Sequence, residues 1–394
     1  MNFIYLDKAN SLGEVRIAER TIWGEEIPNF GHSVFYLLMG VNRKQMQTEQ
    51  IPNSNIFIVT FNKFYCYSMI IFICRLIYLI LKENIHYIVI RNSIDLALPA
   101  LLLSKILKRK FIYIKAYPSI EIKLLQYKGK SRFYAKVLFL KLLLRIDALI
   151  LNNSHYIISR TIKYSELLRD KYRIKREMLA IPMGIRKRYF DSIPLINNGN
   201  QCKLHKNDCL VAIYFGTLEK SRNIEFIIDV INKVVIEKKN IKCYIIGDPQ
   251  ERLIEIRNYA DSQGLSANFK FIHTLPREIL FKHIQKANFS LSPIPPIEEF
   301  ILSSPTKVVE SIALGCPVIG NHEIFDQKEI IEQSGGGYLL PYDETFFAKT
   351  IIELFDKKQE LLELGLCGSK YVLEKRNYTR YAKIILRHLN LSCL

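Results

Sequence analysis

Residues 210–215 read Leu-Val-Ala-Ile-Tyr-Phe, a continuous apolar run typical of a parallel strand buried on both faces. A polar loop follows, Gly216–Asn223 (GTLEKSRN), and then Ile224, Ile227, Ile228, Ile231 and Val234 recur at helical spacing. The unit repeats. Further strands are expected at Lys242–Ile246, Phe269–Ile272, Phe289–Pro293 and Pro317–Gly320, separated by helices at Glu251–Gln263, Pro276–Ala287 and Pro305–Leu314. Short apolar strands alternating with helices of this length mean βαβ units, hence a parallel sheet with helices on both faces.

The first half repeats the pattern less cleanly, with strands expected at Phe3–Leu6, Ile56–Thr60, Ile88–Arg91, Phe111–Lys115 and Ala148–Leu151. At 394 residues the chain is long enough for two domains of ordinary size, and 49% apolar residues rule out wholesale disorder. The polar stretch Asn197–Asp208 (NNGNQCKLHKND) reads as the linker. The expected organisation is α/β throughout: a basic domain over 1–196 and a second domain over 209–370. A helical segment over 371–394 either finishes the second domain or crosses back to the first. Two doubly wound domains of this kind are expected to face each other across a cleft, with ligands beyond the carboxyl ends of the strands.

The charge is unevenly divided. Of 56 Lys+Arg and 38 Asp+Glu, residues 1–195 hold 31 and 14, a net of +17, leaving +1 for the remainder. An anionic partner is therefore expected for the first domain only. The eight cysteines form no CxxC pair and no metal-ligand spacing, which fits free thiols in a reducing compartment. The N-terminus reads as a first strand and lacks the features of a signal peptide. The best candidate membrane span, residues 64–81, is interrupted by Arg75, and the apolar run before that arginine is shorter than the roughly 20 residues a span needs. It reads as a helix covering a sheet.

Two devices in the second half suit an anion. Residues 303–315 read Ser-Ser-Pro-Thr-Lys-Val-Val-Glu-Ser-Ile-Ala-Leu-Gly, with Ser304 as N-cap, Pro305 at the first helical position and Gly315 as the stop. Free N–H groups, the positive dipole end, the Thr306 hydroxyl and the Lys307 ammonium make the helix start a phosphate site. Glu310 lies one turn on, about 6–9 Å from the helix mouth at 1.5 Å per residue, where a ribose would follow a diphosphate. A capped helix with solvated Glu and Lys is the plain alternative. The second device tips the balance: Gly216–Asn223 follows the first strand of the same domain, and Lys220 and Arg222 there are placed to clamp a phosphate.

Together with Ile181-Pro182-Met183-Gly184-Ile185 and the run Ser304-Pro305-Thr306-Lys307…Glu310…Ala313-Leu314-Gly315-Cys316-Pro317-Val318-Ile319, the GTLEKSRN loop resembles the GT-B glycosyltransferases, more narrowly their family 4 retaining branch. The likeness is specific over residues 180–340; before that, Asn29-Phe30-Gly31-His32 resembles the family's N-terminal glycine loop. The resemblance implies a GT-B fold of two Rossmann-like doubly wound domains. It also implies transfer of a sugar from a nucleotide diphosphate sugar with retention, without cofactor or metal. Glu310 would hold the ribose, and Ser304, Pro305, Thr306 and Lys307 the diphosphate, next to Gly216 and Thr217. Lys220 and Arg222 would stabilise the leaving phosphate, and Gly31 and His32 would line the acceptor side, His32 being the nearest candidate for a base. Two positions depart from the pattern. Leu302 replaces the first glutamate of E-x7-E, with Glu298 or Glu299 as substitute, and Thr217 stands where an arginine is usual. No Asp-x-Asp triplet is present, which argues against the metal-dependent GT-A fold.

Residues 100–145 contain 12 Lys/Arg and one acid, Glu121, interleaved with Leu124, Leu125, Phe133, Tyr134, Val137, Leu138 and Leu140. A basic helix with an apolar face suits an anionic membrane surface, with a solvated helix as the plain alternative. Nucleic acid is disfavoured, because no recognition motif or stacking platform is evident. The expectation is a glycosyltransferase peripheral on the cytoplasmic membrane face, building a surface polysaccharide or glycolipid on a glycan or lipid-linked acceptor. A GT-B nucleotide-sugar epimerase and a non-catalytic nucleotide- or nucleic-acid-binding protein remain as alternatives.

Overall fold

The computed structural model describes residues 1–40, 54–60, 65–127, 133–191 and 209–392. The chain divides into two compact units, Met1–Pro182 with Tyr378–Leu394, and Met183–Asn377. The stretch Asn197–Asp208 lies outside the described residues, as do Lys128, Lys130 and Arg132 of the basic run.

The first unit carries a seven-stranded parallel sheet of β1 (Asn2–Asp7), β2 (Ser33–Gly40), β3 (Ser54–Thr60), β4 (Tyr87–Arg91), β5 (Lys110–Lys115), β6 (Tyr156–Ser159) and β7 (Met178–Ala180), in the order β3-β2-β1-β4-β5-β6-β7. Ile4 of β1 sits between Phe35 of β2 and Ile88 of β4, so the strand order reverses beside β1. One expected strand is wrong. Ala148–Leu151 belongs to the helix Tyr134–Asn153, whose buried residues Leu140, Asp147, Ile150 and Leu151 share one helical face. A four-residue apolar run fits a buried strand and a buried helix turn equally, and here the longer helical period wins.

The second unit carries β8 (Cys209–Phe215), β9 (Asn240–Ile246), β10 (Phe269–Ile272), β11 (Phe289–Ser292), β12 (Val318–Asn321) and β13 (Gly337–Leu340), all parallel, in the order β10-β9-β8-β11-β12-β13. Residues 210–215 of β8 are buried throughout, as their composition requires. The helices Glu225–Ile236, Gln250–Ser262 and Arg277–Lys286 fill the expected crossovers. The strand order reverses between β8 and β11, and the crevice at such a switch point, beyond the carboxyl ends of the strands, is where open α/β sheets take ligands. The segment expected to be helical over 371–394 contains the end of one helix, Lys358–Lys375, and all of a second, Tyr378–His388, which falls in the first unit.

Candidate functional site

At the switch point of the second sheet, the turn after β8 is pinned from below. Gly216 adopts φ +135°, and its N–H donates to Ile246 O at 3.0 Å. A Cβ on Gly247, at the end of β9, would lie 1.9 Å from Gly216 O, so only glycine lets the two turns approach this closely. The Tyr214 hydroxyl donates to Thr217 O at 3.1 Å, and Leu218 N donates to Asp248 O at 2.8 Å. The turn ends in a short 3-10 helix, Lys220–Arg222.

The loop after β11 carries the short helix Glu298–Ile301 and then the helix Thr306–Ala313. Val308, Val309, Ile312 and Ala313 are buried, as the apolar stripe requires; each of the larger ones contributes about 1.5–3 kcal/mol of burial. Gly315 ends the helix at φ +76°. The start differs from expectation. Pro305 is the N-cap, and Ser304 does not cap the helix. The Ser304 hydroxyl accepts from Met183 N at 2.8 Å and donates to Asp326 Oδ2 at 2.6 Å, while Asp326 also receives Arg376 Nη1 at 2.9 Å. Ser304 therefore ties together three segments of its unit. Thr306 and Lys307 remain in the first turn, where backbone N–H groups face outward.

Two cations stand at this edge on aromatic rings. The Arg222 guanidinium lies 3.9 Å from the centre of the Phe300 ring, and the Lys307 ammonium 4.1 Å from that of Tyr214. Lost hydration and the nearby Arg222 charge hold the Lys307 pKa well below the usual lysine value. One turn along, Glu310 is buried at 7% exposure and accepts from Arg277 Nη2 at 2.5 Å. Burial pushes its pKa up, and the Arg277 charge and hydrogen bond pull it back. The tools of a diphosphate-ribose site are thus present on one edge: outward N–H groups, two cations, and a buried carboxylate that can accept from hydroxyls.

Gly216, Thr217, Arg222, Thr306, Lys307 and Glu310 come to this edge with Pro305 and Ser304, and half-buried Glu299 lies on the adjoining short helix. Lys220 turns away: its side chain is 80% exposed and sits 3.8 Å from Glu255. Gly31 and His32 lie in the other unit, immediately before β2 and so at the amino edge of that sheet. The His32 ring is buried, with Nδ1 3.1 Å from the Met1 amino group and Nε2 3.1 Å from Ser392 O. The loop that follows β1 at the carboxyl edge is instead Lys8–Ser11, where Asn10 packs against Gly40. Arg277, Phe300 and Tyr214 went unrecognised in the sequence. Pro276-Arg277 at a strand–helix junction was a signal for the first; nothing local marked the rings.

Residues 210–357 match the family model described as glycosyl transferases group 1, over most of the unit that holds this site. The second unit thus carries the glycosyl transferase match, and the chain has the GT-B fold. No curated protein sequence matches this chain. Among solved structures, it resembles HepE of Anabaena in complex with UDP (uridine diphosphate; TM-score 0.74, 14% identity, 99% of this chain and 100% of that one). Sucrose-phosphate synthase from Thermosynechococcus elongatus gives a TM-score of 0.71 at 15% identity, over 99% and 98% of the two chains. WaaG, a glycosyltransferase involved in lipopolysaccharide biosynthesis, gives 0.66 at 14% identity, over 98% and 99%. At these identities the likeness to solved structures speaks for the fold.

Proposed function

We propose that this chain is a glycosyltransferase that draws its sugar from a nucleoside diphosphate sugar bound at the carboxyl edge of the second sheet, and transfers it with retention. The observation that carries the reading is the sequence of groups along one edge. Arg222 and Lys307 flank a helix start, and Glu310 waits one turn further for the ribose hydroxyls. As the anomeric C–O bond breaks, negative charge grows on the departing diphosphate, and fixed cations with outward N–H groups stabilise it where it develops. Glu299, beside the position that Leu302 leaves apolar, is assigned to the hydroxyls of the donor sugar. HepE, solved with UDP and with UDP-glucose, supports a uridine nucleotide as the first donor to try.

The acceptor is assigned to the first unit, and to a glycan or lipid-linked class presented at an anionic membrane surface. The helices Ile94–Ile106 and Tyr134–Asn153 pack together and expose Leu102, Ile106, Leu138, Phe139 and Leu142 beside Lys136, Lys141 and Arg145. The acid within the run and the one just after it are both occupied. Asp147 is buried against Lys115 at 2.6 Å, which also removes Lys115 from the basic surface, and Glu121 accepts from Tyr172 at 2.8 Å. Among the described residues, no helix is long and apolar enough to cross a membrane, so the contact is a docking one.

The reading is tested by incubating the protein with a panel of nucleoside diphosphate sugars and a membrane lipid extract, following nucleotide release and the anomeric configuration of the product by NMR. Acceptor-dependent release with a retained anomer supports it; an inverted product removes retention, and no release with any donor removes the transfer.

A further inference from the structure

We propose that Phe300 and Tyr214 are positioning residues that hold Arg222 and Lys307 un-neutralised, side by side, for the diphosphate of the donor; the proposal rests on the donor-site reading above. The neighbouring cations Lys220, Arg252 and Arg277 are matched with carboxylates. Lys220 pairs with Glu255, Arg252 with Glu225 and Glu255, and Arg277 with Glu310. The other ring-stacked cations described in this unit, Lys239, Arg257 and Lys270, lie farther from their rings, at 5.2–5.8 Å. Among the described residues, Arg222 and Lys307 have no such partner, and each instead lies over an aromatic face. A ring quadrupole attracts and orients a cation without cancelling its charge, as a carboxylate would.

The placement follows from the topology. Arg222 comes from the turn after β8 and Phe300 from the loop after β11, so their stack spans the switch point of the sheet. Phe300 is itself buried against Ile294 and Ile324 and has little freedom to move. Tyr214 lies near the end of β8, and its hydroxyl bond to Thr217 O fixes the ring and the turn together. Arg222 Nε is buried and has no hydrogen-bond partner, and the two like charges raise each other's energy. Two unneutralised cations in a partly dry site gain most from a ligand bearing two or more negative charges. A nucleoside diphosphate fits that requirement and a bare nucleoside does not.

The test is isothermal titration of the full chain with UDP and GDP, and with uridine and guanosine, in wild type, Phe300→Leu, Tyr214→Leu and Tyr214→Phe. Phe300→Leu and Tyr214→Leu are expected to weaken the bound diphosphate about 5–30-fold while leaving the nucleoside unchanged. Tyr214→Phe, which keeps the ring but loses the bond to Thr217 O, is expected to lose clearly less than Tyr214→Leu. Because Phe300 acts through Arg222, Phe300→Leu should cost nothing further in an Arg222→Ala background. An equal loss of nucleoside and diphosphate, or the same loss in the Arg222→Ala background, overturns the proposal. A wild type that binds no nucleoside diphosphate overturns the donor-site reading beneath it.

Discussion

Arg277 Nη2 donates to Oε1 of Glu310 at 2.5 Å, joining the helix that follows β10 to the helix that follows β11. The pair sets the charge state of a carboxylate that burial alone would protonate more readily. Ribose hydroxyls donate to that carboxylate best when it is ionised, so nucleotide affinity should rise with pH through the Glu310 titration. Arg277→Met leaves burial unopposed and moves the rise to higher pH. Titrating the nucleotide between pH 5 and pH 8 checks this; superimposable profiles for wild type and variant would show that Arg277 does not govern Glu310.

Asp7, at the end of β1, has its pKa pushed up to about 6, chiefly by burial, against the lowering effects of the Lys8 N–H and Arg91. Between the ordinary aspartate value and 6, the folded chain binds more protons than the unfolded chain, so stability falls as pH rises through that window. Asp7→Asn, which keeps an oxygen for the Lys8 N–H, should raise stability at pH 7.5 by on the order of 1 kcal/mol, or roughly 2–4 °C in Tm. At pH 4 it should change little. Melting curves at the two pH values decide it, and a destabilised variant at pH 7.5 would contradict it.

The Lys115–Asp147 pair lies inside the first unit at 2.6 Å, and Tyr113 OH donates to the same carboxylate at 2.9 Å. Removing one member leaves an uncompensated buried charge. Asp147→Ala should cost about 3–5 kcal/mol in urea unfolding. Replacing an exposed residue of the same helix, such as Lys141→Ala, should cost less than about 0.5 kcal/mol.

Much of the second unit could be read from residues alone, because its strands are continuous apolar runs bounded by polar turns. Its helix 306–313 carries both a period and a glycine stop. The first unit was harder. β6 and β7 are only four and three residues long, and Ala148–Leu151 offers a helix turn in the guise of a strand. The candidate site was legible where its groups sit close in sequence, as Thr306, Lys307 and Glu310 do. It was not legible where strand order brings distant segments together, as with Arg222 on Phe300 or Arg277 on Glu310. Ser304 shows the converse failure: its local pattern is that of a cap, but Met183 and Asp326 claim its hydroxyl.

The exposed face of Tyr134–Asn153 gives a prediction of its own. Phosphatidylserine-containing vesicles should retain the protein at low salt and release it at high salt, and neutral vesicles should retain far less. At about 1 kcal/mol per basic residue, Lys141→Gln with Arg145→Gln should weaken retention roughly 30-fold. Cosedimentation measures this, and salt-independent retention or an unaffected double variant would remove the membrane assignment.

The donor site is tested most directly by titrating UDP and GDP into wild-type protein and Glu310→Gln at pH 7.5. Wild type should bind one of the two, and losing the carboxylate's charged hydrogen bonds to the ribose, about 1.5–3 kcal/mol, should weaken that binding roughly 10–100-fold in Glu310→Gln. Wild type binding neither nucleotide, or Glu310→Gln binding as tightly as wild type, would contradict the site.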